Sequence, residues 1–400
     1  MMLDATPDDS RDDRKTARLA GWVPQPRMVR DDKGVIHVHE HALARAVLRA
    51  PEVEQNGFGA DLMRRAKASL MRLPVLFLEG HQHQELRRAT ARFFAPRTVE
   101  DGYLTLMQRE TDRLVDRLQR DKRGRLDVMA MDMSVTVAAE IAGLTEHVVP
   151  GMADRIARFL NNPPVAEKWS PALIPRIVLS QFKLLLFYLF DVRPNIRLRR
   201  KAPRADVISH LISLGYRDRE ILTECVLFGA AGMVTTREFI TIAAMHLIDR
   251  PELTQRFLAA PDEERRGILE EILRLEPVIG KLYRRATAPM DLPGGEHVEA
   301  GQSFVIDIRS ANGDEAAVGA CPFHLDPDRR IPDMRTGAPV MGFGDGRHRC
   351  PGAFIAMEES AIFLARLLSL PGLRIVGTPD FTWNNLVGGY EFHECIVAVD

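Results

Sequence analysis

From residue 342 to 352 the chain reads Gly342-Phe343-Gly344-Asp345-Gly346-Arg347-His348-Arg349-Cys350-Pro351-Gly352, four glycines and a proline around one cysteine. No other stretch restricts the fold as much. Gly344 and Gly346 permit a positive-φ backbone and close approach, so the segment can lie flat against a large planar ligand where a bulkier loop could not. Pro351 can open a helix without losing a needed N–H, and Ala353 to Arg366 is a good helix former, which places Cys350 at a helix N-terminus. There the backbone N–H groups and the helix dipole favour a thiolate, the form of cysteine that binds a metal. A cysteine taken alone is more often a small buried hydrophobe.

The full arrangement is more specific than the cysteine. Phe343, Gly346, His348, Cys350 and Gly352 fill the pattern F-x-x-G-x-H-x-C-x-G, which resembles the haem-binding loop of the cytochrome P-450 family. The resemblance implies that Cys350 is the axial thiolate of haem b, donating electron density that favours O–O cleavage. It also implies that His348 bonds a haem propionate, that Phe343 packs beside the sulfur, and that Gly344 and Gly352 shape the loop.

The rest of the chain bounds the reading. With 400 residues, 46% of them hydrophobic, a substantial core is available. The formal net charge of -1 argues against nucleic acid as the main partner. Cys225, Cys321, Cys350 and Cys395 are far apart with no C-x-x-C pair, which suggests neither a zinc site nor a disulfide framework and fits a cytoplasmic protein. Asp4, Asp8, Asp9, Asp12 and Asp13 stand where a signal peptide or membrane anchor would need apolar residues, so no integral membrane anchor is expected. Residues 1–20 read as a flexible arm. Residues 21–400 read as a single domain, ordered from near Trp22.

Periodicity predicts a mainly α fold with small β-sheets. Residues 35–38 read as a strand, and His41 to Arg49 as a helix with Leu43, Val47 and Leu48 on one face. Residues 51–78 read as a long loop with a short helix. Helices are expected through Leu104, Met107, Leu114 and Leu118, over 127–144, and over 221–250. Residues 177–190 read as a lid helix too short and polar to span a bilayer, followed by solvated basic residues Arg193, Arg197, Arg199, Arg200 and Lys201. Residues 373–376 and 395–399 read as strands.

Four further motifs carry chemistry. His83 and Arg87, four apart on a helix, share a face and can donate to one carboxylate, although a solvated basic face is the commoner outcome of such spacing. Ala231-Gly232 ahead of Thr235-Thr236 lets a flat ligand or dioxygen approach a helix, and a threonine hydroxyl there can bond a carbonyl or an oxygen ligand; close helix packing is the plainer use of such residues. Glu271 and Arg274, three apart, can form a bidentate pair. Arg284 precedes an apparent strand. Each of these resembles a family element: the H-x-x-x-R helix that holds a propionate, the A-G-x-[acid]-T-T oxygen-binding motif, the E-x-x-R motif completed by Arg329 as a structural triad, and a further propionate-binding arginine. The distal motif departs at one position, where Val234 replaces the acid.

The resemblance implies a haem-thiolate monooxygenase acting on a hydrophobic small molecule with O2. Phe228, Ala231, Val234, Val278, Ile279, Leu386 and Val387 make the expected substrate pocket apolar. Thr235 and Thr236 are the expected catalytic hydroxyls. Glu238, one turn beyond Val234 on the same face, is either a substitute proton relay or the partner of a nearby basic residue away from the haem, with Arg237 expected to point elsewhere. Arg88, Arg92, Arg347 and Arg349 suit docking of an acidic ferredoxin or flavodoxin. Two other readings stay open: haem-thiolate chemistry without ordinary oxygen activation, such as peroxide use, dehydration, isomerisation or coupling, and an inactive partner-binding scaffold.

Overall fold

Ile36 and Val38 bury their side chains on either side of a half-exposed His37, the alternation that makes residues Ile36–Val38 a strand. A computed structural model of the chain describes residues 12–21, 23–57, 60, 72–146, 148–152, 155, 174–329, 341–385 and 387–400. Its contacts divide into two compact units interleaved in sequence. The first comprises Met1–Phe58, Ile242–Cys350 and Asp380–His393; the second comprises Gly59–Thr241, Pro351–Pro379 and Glu394–Asp400.

The first unit holds a five-stranded sheet in the order Met28–Arg30, Ile36–Val38, Ser303–Asp307, Lys281–Ala286, Val53–Gln55. Its pairings are antiparallel except that Ile36–Val38 runs parallel to Ser303–Asp307. The sheet buries Ile36, Val38, Phe304 and Ile306 against Leu43, Ala44 and Val47 of the helix His41–Arg49. That helix has the bounds its spacing predicts. The expected loose arm does not extend to residue 20: residues 1–11 lie outside the described residues, and from Asp12 the segment is held. Glu276, fully buried, accepts from the backbone N–H of Lys15 and the hydroxyl of Thr16, and sits 3.1 Å from His246. Asp13 accepts from Arg250 at 3.0 Å and from the N–H of Leu325 at 2.8 Å. A buried carboxylate with several donors orders a polar segment that composition alone assigns to solvent.

The second unit is helical. Helices Leu104–Asp121, Leu126–Ala142 and Ala353–Leu368 pack together through Met107, Leu114, Met129, Met133, Phe363 and Leu367. The helix Ile174–Phe187 continues through a π turn, Tyr188–Val192, into Arg193–Lys201. The basic run is therefore a helix, on which Arg197, Arg200 and Lys201 are exposed as expected and Arg199 is not. Arg199 is buried, paired with Asp206 and 2.9 Å from the Thr145 hydroxyl. In the region 51–78, Val53–Gln55 is a strand and Val75–Phe77 one 3-10 turn; 61–71 lie outside the described residues. Among the described residues one helix, Asp218–Ile248, is long and apolar enough to cross a membrane, and half of its most apolar window is buried.

Candidate functional site

In the first unit, the cysteine loop folds because its glycines do what other residues cannot. Gly344 and Gly346 have φ of 69° and 68°, in the left-handed region. At Gly346 a Cβ would lie 2.2 Å from the carbonyl oxygen of Leu48, so that residue is also closed by contact. Two 3-10 turns, Met341–Phe343 and Gly346–His348, are joined through Gly344. The N–H of Cys350 donates to the carbonyl of Phe343 at 2.8 Å and that of Arg349 to Gly346 at 3.1 Å, which fixes the backbone at the cysteine. Phe343, Gly344, His348 and Cys350 are half-buried. The helix expected to start at Pro351 begins at Ala353, with Gly352 as its N-cap, because Pro351 and Gly352 are spent on a turn. Cys350 thus precedes the cap by two residues.

Behind the loop, Glu271 and Arg274 on the helix Asp262–Leu275 are both buried and bidentate, at 2.7 and 2.8 Å. Arg329 joins at 3.2 Å through the same carboxylate. The remaining guanidinium N–H groups find carbonyls: Arg274 donates to Asn312 and Pro322, and Arg329 to Val318, Cys321 and His324. This is a buried ion triad with its hydrogen bonds satisfied, the condition under which such a group is tolerated.

Arg284 is buried in the strand Lys281–Ala286 and donates to Gln55 at 2.9 Å. Val278 is buried and Ile279 half-buried in the approach to that strand. The N–H groups of Gly280 and Lys281 donate to the carbonyl of Val387, which joins these expected pocket residues; Leu386 lies outside the described residues. A residue the sequence reading passed over holds them: Arg309, buried, donates to the carbonyls of Pro277 and Gly388 and lies 4.6 Å from the Trp383 ring. Burial holds its pKa below the usual arginine range. Its one signal is a lone arginine amid apolar residues.

In the second unit, His83 and Arg87 lie on the helix Gly80–Ala91, His83 buried and Arg87 half-buried. Of the arginines nearby, Arg88 and Arg92 are both exposed, and Arg92 also lies 3.3 Å from His210 Nδ1 and over the Phe93 ring. The distal motif is not plain α-helix. A π turn spans Gly229–Val234, between the α segments Asp218–Phe228 and Thr235–Ile248. The turn falls on the small residues, where little side-chain packing resists the wider backbone. The hydroxyl of Thr235 donates to the carbonyl of Ala231 at 2.6 Å. Ala231 is exposed, Val234 half-buried, and Phe228 stacks on Phe94 with ring centroids 6.0 Å apart. At Gly232 a Cβ would meet the Cβ of Ala138 at 3.4 Å, an ordinary contact, so close helix packing does not by itself require this glycine.

Glu238 requires a correction. Arg237 does not point elsewhere; its guanidinium bonds the Glu238 carboxylate, which is buried. Adjacent helical residues lie about 100° apart, and a long arginine reaches back across that arc. Another buried acid was passed over. Glu359, on the helix Ala353–Leu368, accepts from the Thr236 hydroxyl, while its second oxygen, Oε2, has no hydrogen-bond partner. Burial raises its carboxyl well above the usual range. The pair Glu358-Glu359 inside an apolar helix was the available signal.

Cys225 and Cys395 suit metal binding less well. None of the four cysteines is in a disulfide. Burial pushes the thiol of Cys395 up to about 12 and that of Cys225 higher still, so neither readily forms a thiolate. Among the described residues no group of three or more His, Cys, Asp or Glu side chains could hold a bare metal ion. The donor chemistry fits haem: one half-buried cysteine in a loop flattened by positive-φ glycines.

The Cytochrome P450 family model matches residues 266–370, which include Glu271, Arg274, Arg284, Arg329 and the cysteine loop. The chain is 25% identical over 381 residues to a steroid C26-monooxygenase of Rhodococcus jostii, covering 92% of this chain and 76% of that protein. It is 27% identical over 359 residues to an erythromycin C-12 hydroxylase of Saccharopolyspora erythraea, covering 88% and 85%. Among solved structures, the post-tailoring hydroxylase HmtN of himastatin biosynthesis matches with a TM-score of 0.74 at 23% identity, covering 96% of each chain. The glycine-flattened cysteine loop and the buried Glu271 triad lie in the stretch that matches the Cytochrome P450 family model, and over most of its length the chain is similar to bacterial monooxygenases and hydroxylases.

Proposed function

We propose that the chain is a haem-thiolate monooxygenase, its residues 21–400 serving as one catalytic domain, which inserts one atom of O2 into a hydrophobic small molecule in the cytoplasm. Electrons come from a separate protein, an acidic ferredoxin or flavodoxin. The observation that carries the reading is the cysteine loop, in which Gly344 and Gly346 take positive φ and leave Cys350 half-buried. The cofactor is haem b. Bound through a thiolate, it supplies the electron-rich iron that activates oxygen.

The chain's own residues do the rest. Cys350 holds the iron, Phe343, Gly344 and Gly352 shape its surroundings, and His83, Arg87, Arg284 and His348 donate to the propionates. Phe228, Ala231, Val234, Val278, Ile279, Leu386 and Val387 exclude water and orient an apolar substrate. The Thr235 hydroxyl donates to Ala231, so its oxygen remains an acceptor for a water that carries a proton. Glu238, as an anion paired with Arg237, and Thr236, through Glu359, are the polar groups that feed such a water. Glu271, Arg274 and Arg329 are structural.

The deciding measurement is the spectrum of the purified, reduced protein under carbon monoxide. Thiolate ligation moves the Soret band far to the red, and Cys350→Ser abolishes that band. A normal haemoprotein spectrum in the wild type overturns the reading. Glu238→Gln tests the relay: lower coupling of O2 use to product, with peroxide-driven turnover spared, supports it, and unchanged coupling removes Glu238 from it.

A further inference from the structure

Asp345 lies between the two positive-φ glycines of the cysteine loop, and its carboxylate is fully engaged. Oδ1 accepts from the N–H of Gly346 at 2.7 Å. Oδ2 accepts from two arginines one turn apart on the helix His41–Arg49, from Arg45 Nε at 3.2 Å and Arg49 Nε at 2.9 Å. Asp345 is mostly buried, Arg45 about one-quarter exposed and Arg49 about half exposed. Two more contacts bring the loop to the end of the same helix. Gly346 closes on the carbonyl of Leu48, and Arg347 donates to the carbonyl of Ala50 at 2.6 Å.

We infer that Arg45 and Arg49 clamp Asp345, seating the cysteine loop on this helix and balancing the negative charge that the loop carries five residues before Cys350. All of these groups belong to one compact unit. They are positioning residues and act through Cys350, so the inference rests on the haem-thiolate reading. Three charges are held together, two positive and one negative. Removing the arginines leaves an uncompensated anion near the thiolate, which disfavours adding an electron to the iron. Removing the aspartate leaves two cations, which favours it. A scaffold that only braced the loop would respond alike to either loss.

The test uses the full-length holoprotein. The reduction potential and the carbon monoxide spectrum are measured for wild type, Arg49→Gln, Arg45→Gln with Arg49→Gln, Asp345→Asn, and Arg45→Lys with Arg49→Lys. The clamp predicts a lower potential in the arginine-to-glutamine variants, a higher one in Asp345→Asn, recovery toward wild type with lysine, and shifts that shrink at high salt. Arg49→Gln, altering the outermost and most exposed member, serves if the double variant does not fold. Potentials that stay unchanged, or move the same way in Arg49→Gln and Asp345→Asn, overturn the clamp. Absence of a thiolate spectrum in the wild type itself overturns the haem-thiolate reading instead.

Discussion

The cysteine loop with its Glu271 triad and the distal helix around Val234 treat buried polar groups in opposite ways. Around Glu271 both carboxylate oxygens take donors, and the two arginines spend their remaining N–H groups on carbonyls. On and beside the distal helix, Glu224 and Glu359 are almost fully buried, and each leaves one oxygen, Oε2, without a partner. Burial raises the Glu224 carboxyl to about 8, opposed by one hydrogen bond from the N–H of Val75. The first region is charged and saturated, which suits a frame. The second holds acids whose carboxyls burial raises and whose Oε2 atoms have unused capacity, which suits proton handling.

By that contrast, truncation in the frame is costly. Arg274→Ala strips Glu271 of its bidentate partner and should destabilise the protein by about 3–5 kcal/mol, read as a lower urea midpoint or loss of soluble protein. A loss under about 1 kcal/mol, the level of a surface pair, would erase the contrast. Gly346→Ala comes next. Left-handed backbone costs a Cβ-bearing residue roughly 1–2 kcal/mol, and the clash with Leu48 adds to it, so haem retention should fall with stability. Haem content equal to wild type would show that the loop can shift without consequence.

Around the distal helix the expected effects are smaller and depend on pH. Glu224 titrates higher in the folded chain, about 8, than at its ordinary 4.5. Its protonated form is therefore favoured by folding, and that stability, complete below about 4.5, is lost as pH rises through about 8. Glu224→Gln should flatten the decline between those values in unfolding measured across pH; parallel profiles for the two proteins would sink the assignment. The smallest effect belongs to His210. Burial and then the Arg92 charge hold its pKa down, so Arg92→Ala should raise it, as followed by NMR titration. A value that does not move would show that burial alone sets it.

What the sequence disclosed follows the same division. Spacing along one element reads well: His41 to Arg49 declared a helix through Leu43, Val47 and Leu48, and Glu271 faced Arg274 because they are three apart on a helix. In the cysteine loop Gly344 and Gly346 take the positive φ that their place in a glycine-dense turn suggests, whereas Gly342 and Gly352 do not. Partners far apart in the chain left no such trace. Arg45 and Asp345 are 300 residues apart, and nothing local to either marks the pairing. The N-terminal segment reads as solvated because the carboxylate that orders it, Glu276, is some 260 residues away. Arg237 and Glu238 failed for another reason: a helical wheel gives the direction in which a side chain leaves the backbone and says nothing of where a flexible one ends.

The π turn at Gly229–Val234 carries a consequence for numbering itself. Such a turn accommodates one residue more than an α turn, so the segments on its two sides are out of phase by about 100° relative to an unbroken helix. Phe228 thus belongs to one angular frame and Thr236 and Glu238 to another. The side on which Thr236 meets Glu359 depends on how many residues precede it in the turn, and hardly on which ones. Deleting a single small residue there would keep every side chain of the motif and rotate half of them away from their neighbours.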